Sequence, residues 1–164
     1  MIFGRRLLKG TPSEPTGMRP ATSTDRSYLP LADVHVIVVD DRADACELLK
    51  MALTYDGATV ETCQSALDAL EMFRHRAPDV LVCDLVMPRQ SGYWLMQEIR
   101  KLPPNRGGRV GSLAITAYGT EVERQRALRA GFDQYVVRPI ERWELCRIVA
   151  TLAGRARGRQ RRSA

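Results

Sequence analysis

Asp40 and Asp41 directly follow the apolar run Val34-His35-Val36-Ile37-Val38-Val39, and Asp84 ends a second run, Asp79-Val80-Leu81-Val82-Cys83. Thr116 ends a third, Ser112 to Ile115, and Arg138 a fourth, Tyr135-Val136-Val137. If these runs are strands of one sheet, three carboxylates, a hydroxyl and a guanidinium meet at one edge. Crowded carboxylates repel one another and raise their own pKa values unless a cation compensates them. An all-oxygen donor set suits Mg²⁺, which keeps several waters and takes one or two carboxylates. Each residue also has a plainer reading on its own. Asp40 and Asp41 could serve a helix start, where acids are favoured. Asp84 could be a turn residue, Thr116 a cap and Tyr135 a half-buried strand aromatic.

The elements that would position these residues follow from the hydrophobic period, which switches repeatedly along the chain. The β-branched run before Asp40 fits a strand buried on both faces of a parallel sheet. A helix follows, with Ala45, Leu48, Leu49, Ala52 and Leu53 on one face. Ala58 to Cys63 reads as a weaker second strand, and Ser65 with Asp68 as a capping box that starts a helix through Ala66, Leu70 and Phe73. After Asp84 and the turn Met87-Pro88-Arg89-Gln90-Ser91-Gly92, a helix carries Leu95, Met96, Ile99 and Leu102. Thr120 and Glu123 form another capping box, Gly131 marks a helix end, and Leu145, Ile148, Val149 and Leu152 mark the last helix. Five strands alternating with five helices over about 120 residues argue for a parallel sheet covered on both faces. The fold class expected is α/β, a flavodoxin-like doubly wound five-stranded parallel sheet of order 2-1-3-4-5. In such sheets the functional cleft lies beyond the carboxyl ends of the strands.

Composition bounds the rest. The 164 residues carry a formal net charge of +6, with 45% hydrophobic and 27% charged residues, which is normal for one globular domain. Segment 34–153 is nearly balanced in charge, so the basic excess belongs to the two ends. Residues 1–33, rich in Pro, Ser, Thr and Gly over much of their length, read as a disordered leader, and 154–164 as a disordered Arg-rich tail. That tail reads as a solvated end rather than a nucleic-acid contact, since no aromatics interleave its arginines. Cys46, Cys63, Cys83 and Cys146 form no CxxC pattern, so reduced, mostly buried thiols are expected. His35 and His75 lack clustered partners. No apolar run approaches the length of about 20 residues that a membrane span needs, so a cytoplasmic protein is expected.

The order and spacing of Val36-Ile37-Val38-Val39-Asp40-Asp41, Asp84-Leu85-Val86-Met87-Pro88 with Gly92, Ile115-Thr116-Ala117 and Tyr135-Val136-Val137-Arg138-Pro139 resemble the response-regulator receiver family of two-component signalling. The resemblance covers roughly residues 34 to 153. It implies that Asp84 takes a phosphoryl group from a phosphohistidine on a sensor histidine kinase or histidine phosphotransfer protein. It also implies that Asp41 binds Mg²⁺ directly and Asp40 largely through water, with Asp84 and the backbone carbonyl of Val86 completing the ligands. Thr116 would hydrogen-bond the phosphoryl group, and Tyr135 would follow Thr116 inward as the switch aromatic. The chain would then be a phosphoacceptor that changes its binding to a downstream protein target, and not an enzyme in the usual sense.

Two positions depart from the family pattern. Arg138 stands where the family has Lys, and Ser91 stands before Gly92 where the family often has Asp. Arg138 is expected to pair with Asp84 before phosphorylation, and its peptide bond to Pro139 to be cis, as in the family's Lys-Pro. The end of the chain implies a stand-alone receiver, with room for a weak homodimer and no nucleic-acid or membrane partner. Two other functions compete: a pseudo-receiver scaffold that works without phosphorylation, which Arg138 would favour, and an aspartyl-phosphate phosphatase. The familiar haloacid-dehalogenase-like pattern places its nucleophile after the first strand in Asp-x-Asp, whereas here Asp40-Asp41-Arg42 precede the candidate nucleophile Asp84.

Overall fold

The β-branched run after Val34 forms strand β1 (His35–Val39), and every residue in it is buried. In the computed structural model, which describes residues 30–161, the chain then alternates without exception. It continues through α1 (Ala43–Tyr55), β2 (Thr59–Cys63), α2 (Ala66–His75), β3 (Val80–Asp84), α3 (Gly92–Arg100), β4 (Gly111–Thr116), α4 (Glu121–Ala130), β5 (Gln134–Val137) and α5 (Arg142–Arg161). A short 3₁₀ turn, Pro104–Arg106, occupies the Pro/Gly-rich loop before β4. All strand pairs are parallel and the order is β2-β1-β3-β4-β5, as the sequence implies.

Residues alternate across this sheet and feed two cores. Ile37, Val39, Leu81, Cys83 and Ala114 face α2, α3 and α4, packing on Phe73, Leu95, Met96, Ile99 and Ala127. Val36, Val38, Val82, Leu113 and Ile115 face α1 and α5, packing on Leu53, Leu145, Val149 and Leu152. Fully burying such a side chain contributes about 1.5–3 kcal/mol, so both faces resist any slip of register that would move the strand ends. Helix starts are fixed where the capping boxes lie: Ser65 Oγ accepts from Asp68 N at 3.1 Å and Thr120 Oγ1 from Glu123 N at 3.2 Å. Gly131 ends α4 in the left-handed region, at φ 110°.

Two expectations are corrected at the ends. Leu31, placed in the leader, is fully buried against the α1 and α5 core, and its amide donates to Asp56 O at 3.0 Å. Segment 154–161, expected to be disordered, continues α5 as helix. Arg and Ala are strong helix formers, no proline intervenes, and extending a helix already anchored by Leu145, Val149 and Leu152 costs little. Gly154 does not interrupt it, and the space beside its Cα is open. The expectation for residues 1–29 lies outside the described residues.

Gly92, at the start of α3, is required by close packing. A Cβ there would lie 2.2 Å from the backbone oxygen of Asp84 and 3.0 Å from Cys83 Sγ. Gly92→Ala is expected to push the β3–α3 loop away from β3 and to destabilise the fold by about 1–3 kcal/mol, read as a lower midpoint in urea denaturation.

Candidate functional site

Sheet register gathers the polar strand ends. β1 and β3 lie side by side, pairing Val39 with Cys83, so Asp40 and Asp84 each stand one step beyond a paired residue. Asp84 pairs with Ile115 of β4, which puts Thr116 next along that edge, and Thr116 pairs with Val137 of β5. The Arg138 amide then donates to Thr116 O at 2.8 Å. Asp40, Asp41 and Asp84 each offer a carboxylate oxygen within 4.8 Å of the others.

Their environments differ. Asp40 is fully buried, and its Oδ1 accepts from the Arg42 amide at 3.0 Å, with Arg42 Nε at 3.6 Å. Its Oδ2 accepts from Arg138 Nη2. A charge taken wholly out of water must be paired, and this explains why Arg138 pairs with Asp40 rather than with Asp84, the partner expected from sequence. The Arg138-Pro139 peptide is cis, as expected. Asp41 and Asp84 are half-buried. Burial pushes the Asp84 carboxyl above its ordinary value, the neighbouring charge of Asp40 adds to the rise, and Arg138 opposes it. Val86 lies exposed in the loop two residues beyond Asp84.

An all-oxygen cluster of this size fits a hard cation. Mg²⁺ takes oxygen ligands at about 2.0–2.1 Å and keeps waters in its remaining positions, so carboxylates this close can hold it with water filling the gaps.

Thr116, only 1% exposed, accepts from the Tyr118 amide at 3.2 Å. The Tyr135 hydroxyl donates to the Tyr118 carbonyl. Tyr118 thus joins the two residues singled out from sequence, although it was itself not foreseen, and neither was Arg42. Arg42 had one signal, its place at the start of a helix beside two acids. Ser91 caps α3, its Oγ accepting from Trp94 N at 3.3 Å. Cys46, Cys83 and Cys146 are buried and Cys63 half-buried, all four as free thiols, and burial pushes Cys63 up to about 12. His35 is buried with Nε2 2.6 Å from Glu61 Oε1.

The raised Asp84 carboxyl has a consequence for stability. The folded state holds this proton more tightly than the unfolded chain, so the contribution is favourable at low pH and is lost as pH rises past the ordinary carboxylate range. Asp84→Asn removes that penalty. In metal-free buffer the variant is expected to melt higher than the parent at pH 7 and to show no such gain at pH 3, as followed by circular dichroism.

A five-stranded parallel α/β sheet of order 2-1-3-4-5 with an acidic cluster past β1 and β3 defines a receiver-type signalling domain. The family model for the response regulator receiver domain matches residues 36–150, and the chain belongs to that family. Over 119 residues it is 39% identical to an uncharacterised 14.6 kDa protein of Leptolyngbya boryana, covering 73% of this chain and 89% of the relative. It is 36% identical over 112 residues to the response regulator MprA of Mycobacterium ulcerans, covering 68% of this chain and 47% of the relative. The chain therefore spans about half the length of such curated regulators. Among solved structures it is similar to the receiver domain of a sensor histidine kinase from Pseudomonas aeruginosa PAO1, which holds a magnesium ion coordinated in its active-site cleft. That match has TM-score 0.69 and 27% identity, and covers 75% of this chain and 99% of that one. A response regulator receiver domain from Clostridium thermocellum matches with TM-score 0.68 and 25% identity, over 76% of this chain and 97% of that one. Residues 36–150 thus form a response regulator receiver domain of two-component signalling. Among the described residues no helix is long and apolar enough to cross a membrane.

Proposed function

We propose that this chain is a cytoplasmic phosphoacceptor in which Asp84 takes a phosphoryl group from a phosphohistidine on a histidine kinase or phosphotransfer protein. The convergence of Asp40, Asp41 and Asp84 at adjacent strand ends is the observation that carries this reading. An Asp84 carboxylate oxygen forms the new bond to phosphorus as the P–N bond to the donor imidazole breaks. The protein supplies a nucleophile, in-line positioning and charge neutralisation, which are the main needs of phosphoryl transfer.

Asp41 and Asp84, with the Val86 carbonyl, would bind Mg²⁺ directly, and Asp40 through water. The metal supplies positive charge to offset that of the phosphoryl oxygens. Support comes from the oxygen-only cluster and from the Pseudomonas receiver's magnesium.

Thr116 would donate its hydroxyl to a phosphoryl oxygen. It then gives up the position in which it accepts from Tyr118, and the Tyr118 to Tyr135 hydrogen bond passes that change to β5. A two-state element with a small energy gap converts such a local change into altered binding of a downstream protein.

Arg138 would leave Asp40 and engage the phosphoryl group. Its planar fork can bind two oxygens, whereas Lys offers a compact point charge. Arg138→Lys is therefore expected to keep phosphorylation but change the lifetime of the phosphate several-fold, an effect on the order of 1 kcal/mol, measured as loss of phosphoprotein with time. Incubation with acetyl phosphate and Mg²⁺ followed by intact-mass measurement tests the function itself. Gain of one phosphoryl mass is expected, and an unchanged mass would leave a phosphorylation-independent scaffold.

A further inference from the structure

We propose that the cleft between α3 and α4 is a docking site for an acidic, extended segment of a partner protein. The cleft is open to solvent, has a volume of about 340 Å³, and is lined by Ser91, Tyr93, Trp94, Gln97, Arg126, Arg129 and Ala130. It lies outside the carboxylate cluster and shares no lining residue with it.

Its charge is one-sided. Two guanidiniums line it and no carboxylate does. Of the acids on the two helices, Glu98 pairs with Lys101 at 2.6 Å and Glu121 with Arg124 at 3.2 Å, while Glu123, which accepts from Thr120 Oγ1 at 3.1 Å, lies outside the lining but near enough for its charge to act on Tyr93. Arg126 has its guanidinium carbon 4.2 Å from the centroid of the Tyr93 ring, a stacking that holds the side chain in place and leaves its N–H groups free of any carboxylate among the described residues. Arg129 has no ion pair among the described residues.

The spacing matches an extended acidic chain. Arg126 and Arg129 are one helical turn apart, about 5–6 Å between Cβ atoms. Alternate side chains of an extended peptide are about 6.6 Å apart, within reach of two flexible arginines. Tyr93 and Ala130, 8% and 5% exposed, form an apolar floor, Trp94 offers a half-buried ring, and the Gln97 amide can pair with peptide backbone. The polar groups are strung along two helices rather than closed around one point, which suits a peptide better than a small anion. The leader of this chain carries more basic than acidic residues and is not complementary to the cleft.

The experiment uses the full chain in a Trp143→Phe background, so that Trp94 is the sole tryptophan. Trp143 is 63% exposed, and its replacement leaves the core intact. A blocked hexaglutamate peptide is titrated at low ionic strength, and Trp94 fluorescence is followed. A saturable change is expected. Arg129→Glu should weaken it about tenfold or more, Arg129→Gln should weaken it less, and Arg147→Glu, the same charge change at an exposed site on α5, should leave it unaltered. The proposal is overturned by any of three results: no saturable change, equal weakening in Arg129→Glu and Arg147→Glu, or displacement of the peptide by inorganic phosphate at lower concentration than the peptide itself requires.

Discussion

Asp84→Asn is expected to abolish phosphoryl uptake from acetyl phosphate and from a phosphohistidine donor, with the rate falling by about 10⁴-fold or more. The amide keeps the shape of the side chain but loses the nucleophile. Folding should survive, because Asp84 is half-buried at the end of β3 and forms no ion pair among the described residues. The raised carboxyl of the parent points the same way, since the apo protein is relieved of a charge that burial and Asp40 disfavour. Intact-mass measurement of parent and variant, with circular dichroism on both, separates lost chemistry from lost structure. Uptake by the variant at the parent's stoichiometry would remove Asp84 from the mechanism.

The second large effect concerns the metal. Asp41→Ala is expected to weaken Mg²⁺ binding on the order of a hundredfold, the upper end of what even indirect partners cost, with little change in stability. Asp40→Ala should behave in the opposite way. Asp40 is fully buried and carries Arg138 and the Arg42 amide, so its loss leaves a 21%-exposed guanidinium without its carboxylate. Breaking a buried pair on one side costs about 3–5 kcal/mol, and that cost should appear as a lowered melting temperature before it appears in metal affinity. Calorimetric Mg²⁺ titration beside thermal melts distinguishes the two roles. Equal Mg²⁺ affinity in Asp41→Ala and the parent would exclude the ligand set.

The sequence made the sheet legible because its strands are buried on both faces. A run such as Val36 to Val39 can be little else between a turn and a helix start, and each run stops at a polar residue that marks the functional edge. The capping boxes at Ser65 and Thr120 were readable for the same local reason, since both partners lie within three residues of each other. Long-range side-chain pairing was not readable. Arg138 and Asp40 are 98 positions apart, and which of two nearby carboxylates the guanidinium takes depends on burial, which only the folded chain defines. Tyr118 carries no side-chain signal because its role rests on backbone atoms, its amide toward Thr116 and its carbonyl toward Tyr135. The arginine-rich end misled for another reason: composition signals solvation, and solvation is compatible with a helix that continues from a packed turn.

The central claim is that one carboxylate, that of Asp84, becomes the acyl phosphate. Borohydride reduces an acyl phosphate to the corresponding alcohol and so converts a phosphorylated aspartate to homoserine. Treating the acetyl phosphate-reacted protein with borohydride and sequencing its peptides by mass spectrometry should place homoserine at position 84, only when Mg²⁺ was present. Homoserine at Asp40 or Asp41, or none at any aspartate, would contradict the account.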